Sequence, residues 1–183
     1  MSDPRITPRP ESDWDDETRE LMAGLLAGPD GQTLNIFTTF AHHPKLLKRW
    51  LVFGHHVLVK STLRARDREL LILRTAWNCV ADYEWGQHVP IARDAGLSDA
   101  EIDRVAVADT GGWDPGDAAL LRAADELHAD ARIGDATWTM LADRYDTQQL
   151  FDLIFTVGQY HLVAFALNSL RVQREPGVPG LPA

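Results

Sequence analysis

Glu84 and His88 are the residues of this sequence whose types and spacing best suit proton transfer. They lie four positions apart, so on a helix both side chains lie on one face and within reach of each other. A carboxylate beside an imidazole holds the ring in one orientation while the ring exchanges a proton with a substrate. The alternative is an exposed helix pair that contributes roughly a few tenths of a kcal/mol to stability.

Glu69 is a third candidate for this chemistry, because it lies on the apolar face of its predicted helix. A carboxyl group in such a setting suits a proton relay. The structural alternative is a salt bridge to Arg66, Arg68 or Arg74, or attraction to the positive end of the helix dipole. The sequence leaves these alternatives open.

Cys79 is the only cysteine of the chain, which excludes an intrachain disulfide and a Cys-x-x-Cys zinc site. We predict that its thiol is buried in the core and is not a nucleophile. As a redox candidate it would form a sulfenic acid, but no second cysteine is present to resolve that species.

Two pairs of adjacent histidines, His42-His43 and His55-His56, suggest a metal site at first sight. Neighbours on a helix point about 100° apart, however, and no His-x-x-x-His or Glu-x-x-His spacing is present. A metal would require His55 or His56 to meet His88 in space. We therefore predict no metal and no cofactor, and expect one of His55 and His56 to donate a hydrogen bond or a proton in a pocket.

Aromatic residues near these groups are candidates for substrate contacts. Phe53 and His56 fall on flanking positions of their predicted helix, Trp77 lies in the apolar run before Cys79, and Tyr83 directly precedes Glu84. We expect Phe53, Trp77 and Tyr83 to line the substrate pocket, together with the histidines at 55 and 56. Packing without a substrate contact is the alternative for Tyr83.

The apolar periodicity and the capping residues predict an all-α fold that positions these groups on helices. Gly28 to Gly31 end the first helix, Ser98 and Glu101 form a capping box, and Pro90 indicates a kink or a helix still in its first turns. The predicted helices cover about 13–26, 44–60, 66–80, 83–95, a segment after 98, 114–131, a short segment after 135, and 147–172.

The chain of 183 residues is predicted to form a single domain, 1–183, with an extended arm at 1–12 and a tail at 173–183. Its formal net charge of −9 argues against nucleic acid or an anionic membrane surface as a partner. We expect no membrane-spanning helix, because no apolar run approaches that length: polar residues interrupt the longest run, 150–170. The N-terminal segment has no apolar secretory core, so we expect a cytoplasmic protein.

The segment around Glu69 and His88 resembles the alkylhydroperoxidase D-like and carboxymuconolactone decarboxylase superfamily. The signature of that family is a glutamate, eleven intervening residues, Cys-x-x-Cys, and a histidine four positions later, and here Glu69 and His88 match it. Ala81 and Glu84 stand where the two cysteines would be. The Tyr-Glu-Trp-x-x-His variant found here is similar to the thiol-less, decarboxylase-type branch, and the resemblance covers residues 34–107.

This resemblance implies an all-α helical bundle that assembles as a homo-oligomer, a trimer or hexamer, with a dimer as the alternative. We expect a cofactor-free acid–base enzyme of the decarboxylase, lyase or isomerase type, acting on a small organic acid, lactone or aromatic-derived metabolite. In it His88, oriented by Glu84, transfers a proton, and Glu69 with one of His55 and His56 completes the relay. The alternatives are a hydroperoxide reductase that uses Cys79 and an external thiol, and a non-catalytic ligand-binding member.

Overall fold

The computed structural model describes residues 3–25 and 31–182, which form nine α-helices and no β-strand. The all-α helical bundle predicted from the sequence is confirmed. A 3₁₀ turn, Glu11–Asp13, precedes the first helix, and a π-helical turn, His56–Lys60, continues the third. The helices are α1 (Asp16–Met22), α2 (Asn35–Phe40), α3 (Pro44–His55), α4 (Ala65–Asn78), α5 (Asp82–Asp94), α6 (Asp99–Val105), α7 (Pro115–Asp130), α8 (Asp135–Ala142) and α9 (Thr147–Leu170).

Local capping explains where several helices begin. The hydroxyl of Ser98 accepts from the backbone N–H of Glu101, whose carboxylate accepts from the N–H of Ser98, so the predicted capping box of α6 is formed. The first helix differs from its prediction. It begins only at Asp16, because Asp15 is its N-cap, and residues Glu11–Asp13 before it form a 3₁₀ turn. It also ends at Met22, earlier than the predicted end near 26, and most of the predicted stop at 28–31 lies outside the described residues.

Helix α4 is the centre of the bundle, packed against α5, α7 and α9. Its residues Leu70 to Leu73 have no exposed surface. A helix buried on all sides must pair the polar side chains it carries, and Arg74 illustrates this: it forms an ion pair with Asp125 at 2.6 Å and donates to the carbonyl of Val105 at 2.6 Å. The same requirement applies to Glu69 on this helix.

The N-terminal arm and the C-terminal tail both pack on the bundle. The backbone N–H of Arg9 donates to the carbonyl of Thr38 at 3.0 Å. In the tail, the carboxylate of Glu175 accepts from the hydroxyl of Tyr83 at 2.8 Å. The tail also crosses α5 so closely that a Cβ on Gly86 would collide with the tail backbone. The tail therefore fixes the first half of α5, the helix that carries Glu84 and His88.

Pro90 lies inside α5, beyond its first two turns. Of the two alternatives predicted for Pro90, a kink or a helix still in its first turns, the second is therefore wrong. Because proline has no backbone N–H, the helical hydrogen bond from position 90 back to Gly86 is missing.

Helix α9 is long and apolar, with a mean hydropathy of 1.5 over its most apolar 18 residues. By length and composition alone it is sufficient to cross a membrane, so the expectation that no apolar run approaches that length is wrong. Half of that window is buried inside the protein, which is typical of a core helix. The other side of α9 exposes a row of large apolar side chains, namely Phe151, Ile154, Phe155, Leu162 and Phe165.

Candidate active site

A carboxylate–imidazole pair joins α4 to α5 at the centre of the bundle. Nδ1 of His88 lies 2.7 Å from Oε2 of Glu69. Glu69 is completely buried and His88 is 7% exposed, so water is largely excluded from the contact. The other oxygen of Glu69, Oε1, accepts from Nε of Arg68 at 3.0 Å. Glu69 thus makes one of the predicted salt bridges and also contacts the histidine expected to transfer a proton.

The contacts of Glu69 determine the chemistry of the imidazole. A carboxylate can only accept, so Nδ1 of His88 carries the hydrogen in this bond. In a neutral imidazole the other nitrogen, Nε2, then has a free lone pair. No described residue forms a hydrogen bond with Nε2, and the His88 ring borders a cavity. The pair is therefore arranged to accept a proton from a molecule in that cavity.

Glu84 lies on the same helix as His88 but does not hold it. Both carboxyl oxygens of Glu84 are buried without a hydrogen-bond partner among the described residues. Burial raises the pKa of Glu84 well above its ordinary value, because the charged form would lose its hydration. The prediction that Glu84 orients His88 is therefore wrong, since Glu69 takes that place. Glu84 is instead a neutral carboxylic acid next to the cavity.

The cavity has a volume of about 400 Å³, within the range of small-molecule sites. Its walls are mostly apolar side chains of α2, α3, the π-helical turn after α3, α5 and α9, including Phe37, Leu58 and Val163. Two polar atoms in its lining residues, Nε1 of Trp50 and Oε1 of Gln159, are buried without a hydrogen-bond partner in the described part of the chain. Buried polar groups without partners are rare in proteins, so both atoms are candidates for bonds to a ligand.

Tyr160 of α9 places a phenol beside the imidazole. Its ring meets the ring of His88 edge to face, with centroids 4.8 Å apart and an angle of 90°. Burial, followed by the nearby charge of Glu69, raises the pKa of Tyr160 well above its ordinary value. Tyr160 therefore stays a neutral phenol that can donate a hydrogen bond. It borders the same cavity as His88.

Two of the residues predicted to bind substrate do border the cavity. Tyr83 contributes to the wall, but its hydroxyl donates to Glu175 at 2.8 Å and accepts from the backbone N–H of Ile36 at 3.2 Å. It is therefore a structural wall residue with its hydrogen bonds already made. His55 also borders the cavity and is exposed, which places it at the entrance.

Three other predicted substrate-binding residues lie outside the cavity lining. Phe53 packs on Phe155 with ring centroids 6.0 Å apart, on the outer surface. His56 faces Asp152 at 3.4 Å. Trp77 packs against the main core, with the guanidinium of Arg74 over its ring. The predictions for Phe53, His56 and Trp77 are wrong because their helix positions point away from the cavity.

Cys79 is half-buried at the end of α4 and does not border the cavity. Burial raises the pKa of its thiol to about 11. The thiol is therefore protonated near neutral pH, which disfavours a nucleophilic role. Its neighbour is Nδ1 of His128, 3.8 Å from the sulfur.

The comparisons with known proteins agree with this fold. The model of the carboxymuconolactone decarboxylase family matches residues 44–126, which contain α3 to α6 and most of α7. This segment is similar to the carboxymuconolactone decarboxylase family. Glu69, Glu84 and His88 all lie within this family segment, whereas Gln159 and Tyr160 lie beyond it. No curated protein matches the chain.

Solved structures extend the likeness over the whole chain. The alkylhydroperoxidase AhpD core of an uncharacterized peroxidase-related protein from Ralstonia eutropha JMP134 is 20% identical, with a TM-score of 0.79 over 96% of this chain and 95% of that one. An uncharacterized peroxidase-related protein from Silicibacter sp. TM1040 is 14% identical, with a TM-score of 0.78 over 97% of both chains. The debrominase Bmp8, in complex with 2,3,4-tribromopyrrole, is 14% identical, with a TM-score of 0.72 over 93% of this chain and 91% of that one. At these identities the likeness shows the fold alone.

Proposed function

We propose that this protein is a cofactor-free acid–base enzyme that moves a proton at a carbon atom of a small, largely apolar acid, lactone or aromatic-derived molecule. The observation that carries the proposal is the buried contact of 2.7 Å between Glu69 and Nδ1 of His88, at the wall of a cavity. Such a pair presents Nε2 as a general base, which typically accelerates proton transfer by about 10²- to 10⁴-fold.

Proton removal follows directly from this geometry. Nε2 of His88 takes a proton from an acidic C–H bond of the substrate, and the electron pair of that bond moves to the adjacent carbonyl oxygen as an enolate. Glu69 stabilises the imidazolium that forms. The neutral acids Glu84 and Tyr160 supply O–H donors for the enolate oxygen, as in other enzymes that keep a buried carboxyl group protonated.

Decarboxylation uses the same groups, but here His88 gives a proton to the substrate carbon and does not remove one. The imidazole of His88 begins protonated on both nitrogens, the bond to the substrate carboxylate breaks, and carbon dioxide leaves while the electron pair remains as an enolate. The substrate carbon then takes the proton of Nε2, and the ring regains a proton from solvent. Both reactions need no redox partner, and both fit a mostly apolar cavity in which charge is stabilised by fixed groups.

The cavity supports a planar, mainly hydrophobic substrate. Its volume of about 400 Å³ and its apolar walls suit a molecule with one ring. The structurally similar debrominase Bmp8 binds 2,3,4-tribromopyrrole, a compact aromatic ring. We therefore include lactones, keto acids and small aromatic heterocycles in the substrate class.

The thiol-dependent hydroperoxide reductase is less well supported. Its only sulfur nucleophile, Cys79, does not border the cavity, and burial raises the pKa of that thiol to about 11. A reaction at this sulfur would also need an external thiol as the reductant. A ligand-binding member without catalysis would use the same cavity, and it would leave its ligand chemically unchanged.

Deuterium incorporation tests the proposal. The protein is incubated in deuterated water with a panel of lactones, keto acids and aromatic heterocycles, and NMR follows exchange at carbon and release of carbon dioxide. For the compound that reacts, we expect His88→Gln to lower the rate by about 10²- to 10⁴-fold, because the base is removed.

His56→Gln is the matched control, since His56 is a histidine outside the cavity and should leave the rate unchanged. Equal rates in the parent and in His88→Gln would contradict the proposal. Hydroperoxide consumption with dithiothreitol is measured in parallel. If it occurs and is lost in Cys79→Ser, the reductase alternative holds.

The exposed face of α9 supports a homo-oligomer, and we propose that a second copy of this chain covers it. Phe151, Phe155, Leu162 and Phe165 are each at least half exposed, and Phe53 of α3 packs on Phe155. Monomeric soluble proteins rarely expose a continuous apolar patch of this kind. The family resemblance favours a trimer or hexamer, with a dimer as the alternative, in the cytoplasm.

Replacing Phe155 with aspartate is expected to convert the oligomer into a monomer, because a charge would be buried in the contact. Light scattering coupled to size-exclusion chromatography measures the mass in solution. Val107→Asp is the matched control, since Val107 is 49% exposed and lies in the loop after α6. A monomeric parent protein, or an unchanged mass for Phe155→Asp, would contradict this proposal.

A further inference from the structure

Three potential metal ligands meet on the surface, outside the cavity. Cys79 follows the end of α4, His128 lies in the last turns of α7, and His161 lies in α9. Nδ1 of His128 is 2.9 Å from Nε2 of His161 and 3.8 Å from the sulfur of Cys79. The three ligand atoms all lie within 4.8 Å of one another. No sequence motif indicates this cluster, because its members are far apart in the chain.

The hydrogen bonds of His161 aim one nitrogen into the cluster. Its Nδ1 contacts the carbonyl of Val157 at 2.9 Å, and a carbonyl can only accept, so Nδ1 carries the hydrogen. The lone pair of His161 is therefore on Nε2, facing His128. Metal-binding histidines in proteins commonly fix their second nitrogen in this way.

The other two ligands need only small adjustments. His128 is exposed, so its hydrogen can move from Nδ1 to Nε2, where water accepts the bond. The position of Cys79 is fixed by the amide of Asn168, which donates to the Cys79 carbonyl at 2.8 Å. Three elements of the fold thus hold the three ligands at one point.

The distances suit a tetrahedral ion. With zinc–sulfur and zinc–nitrogen bonds of about 2.3 and 2.1 Å, tetrahedral ligand atoms lie roughly 3.4 to 3.6 Å apart. Two observed separations, 2.9 and 3.8 Å, lie on either side of these values, and all three atoms lie within 4.8 Å of one another. Binding therefore requires side-chain rotations that bring the Cys79 sulfur closer to His161. One thiolate and two imidazoles are ligands that select zinc and related transition metals over magnesium or calcium.

We propose that Cys79, His128 and His161 form a zinc-binding site that links α4, α7 and α9, with a fourth position open to water. Binding replaces the proton on the Cys79 sulfur with a zinc–sulfur bond, and that proton is released to solvent. The hydrogen bond between His128 and His161 is replaced by two zinc–nitrogen bonds, one from each ring. An ion that binds the folded chain and not the unfolded one also stabilises the fold.

Cobalt and zinc titrations of the untagged protein test the site. Cobalt(II) is expected to give visible bands of tetrahedral intensity and a near-ultraviolet sulfur-to-cobalt charge-transfer band, both lost on addition of zinc. Zinc is expected to bind with one-to-one stoichiometry, to release a proton in weakly buffered solution and to raise the thermal unfolding midpoint.

Cys79→Ser is expected to abolish the charge-transfer band, and His128→Gln is expected to weaken zinc binding at least tenfold. Because His128 is exposed, His128→Gln should fold as the parent does. The test therefore remains valid even if Cys79→Ser folds poorly. His42→Gln serves as the control, because His42 is an exposed histidine that is not part of the cluster, and this variant should bind zinc as the parent does. A parent protein without the charge-transfer band, or equal zinc affinity for the parent and His128→Gln, would overturn the proposal.

Discussion

Replacing Glu69 with glutamine is expected to reverse the tautomer of His88 and to lower proton-transfer turnover by about 10⁴-fold. The carboxylate of Glu69 accepts the hydrogen of Nδ1, and this leaves Nε2 free as the base. A glutamine amide can donate its N–H₂ to Nδ1 instead, which moves the ring hydrogen to Nε2. The corresponding aspartate-to-asparagine change in a serine protease triad lowers turnover by about this factor for the same reason.

The tautomer is measurable without a substrate. Long-range proton–nitrogen correlation NMR of the protein distinguishes the protonated from the bare ring nitrogen of His88. We expect the parent to carry hydrogen on Nδ1 and Glu69→Gln to carry it on Nε2. His42→Gln, which removes a surface histidine, provides an assignment control. An unchanged tautomer in Glu69→Gln would contradict the positioning role, whatever the turnover.

The helices of this protein are well predicted from its sequence because their signals are local. The capping box of Ser98 and Glu101 and the proline at the start of α7 each act within one turn of helix. The effect of Pro90 is not local in the same way. Helix α5 continues past Pro90 although one backbone hydrogen bond is missing, and the C-terminal tail packs against this helix. That packing depends on contacts between positions far apart in the chain.

The pairing of His88 was predicted incorrectly for a physical reason. Spacing within one helix shows which residues share a face, and on that basis Glu84 was the expected partner. The observed partner, Glu69, lies on a different helix, 19 positions away. Only the resemblance to a family placed both residues in one site.

The site residues on α9 are only weakly indicated by the sequence. Gln159 and Tyr160 border the cavity, yet neither is among the candidate site residues that the sequence indicates. The one available indication was a polar glutamine in the middle of an apolar helix. A buried polar side chain needs a partner, so such an interruption indicates either a structural bond or a ligand.

Replacing Glu84 with glutamine is expected to flatten the pH dependence of stability. Burial raises the pKa of Glu84 in the folded protein well above its ordinary value of 4.5. Between that value and the folded-state pKa, the folded protein holds a proton that the unfolded chain has released. The contribution of Glu84 is therefore most favourable below about pH 4.5 and decreases as the pH rises, by about 1.4 kcal/mol for each pH unit.

Glutamine keeps the shape of the side chain and cannot ionise, so the free energy of unfolding of Glu84→Gln should rise relative to the parent as the pH increases. Urea unfolding from about pH 5 to 8 measures this difference. Glu101→Gln is the matched control, because hydrogen bonds from Ser98 and the nearby Arg66 lower the pKa of Glu101 to about 2. The contribution of Glu101 is lost only at acidic pH, so the difference in stability between Glu101→Gln and the parent should stay constant in this range.

Infrared difference spectra should also show the carbonyl band of a neutral carboxylic acid in the parent and not in Glu84→Gln. Parallel unfolding curves for the parent and Glu84→Gln would mean that Glu84 is ionised, and the neutral donor assigned to the cavity would then be absent.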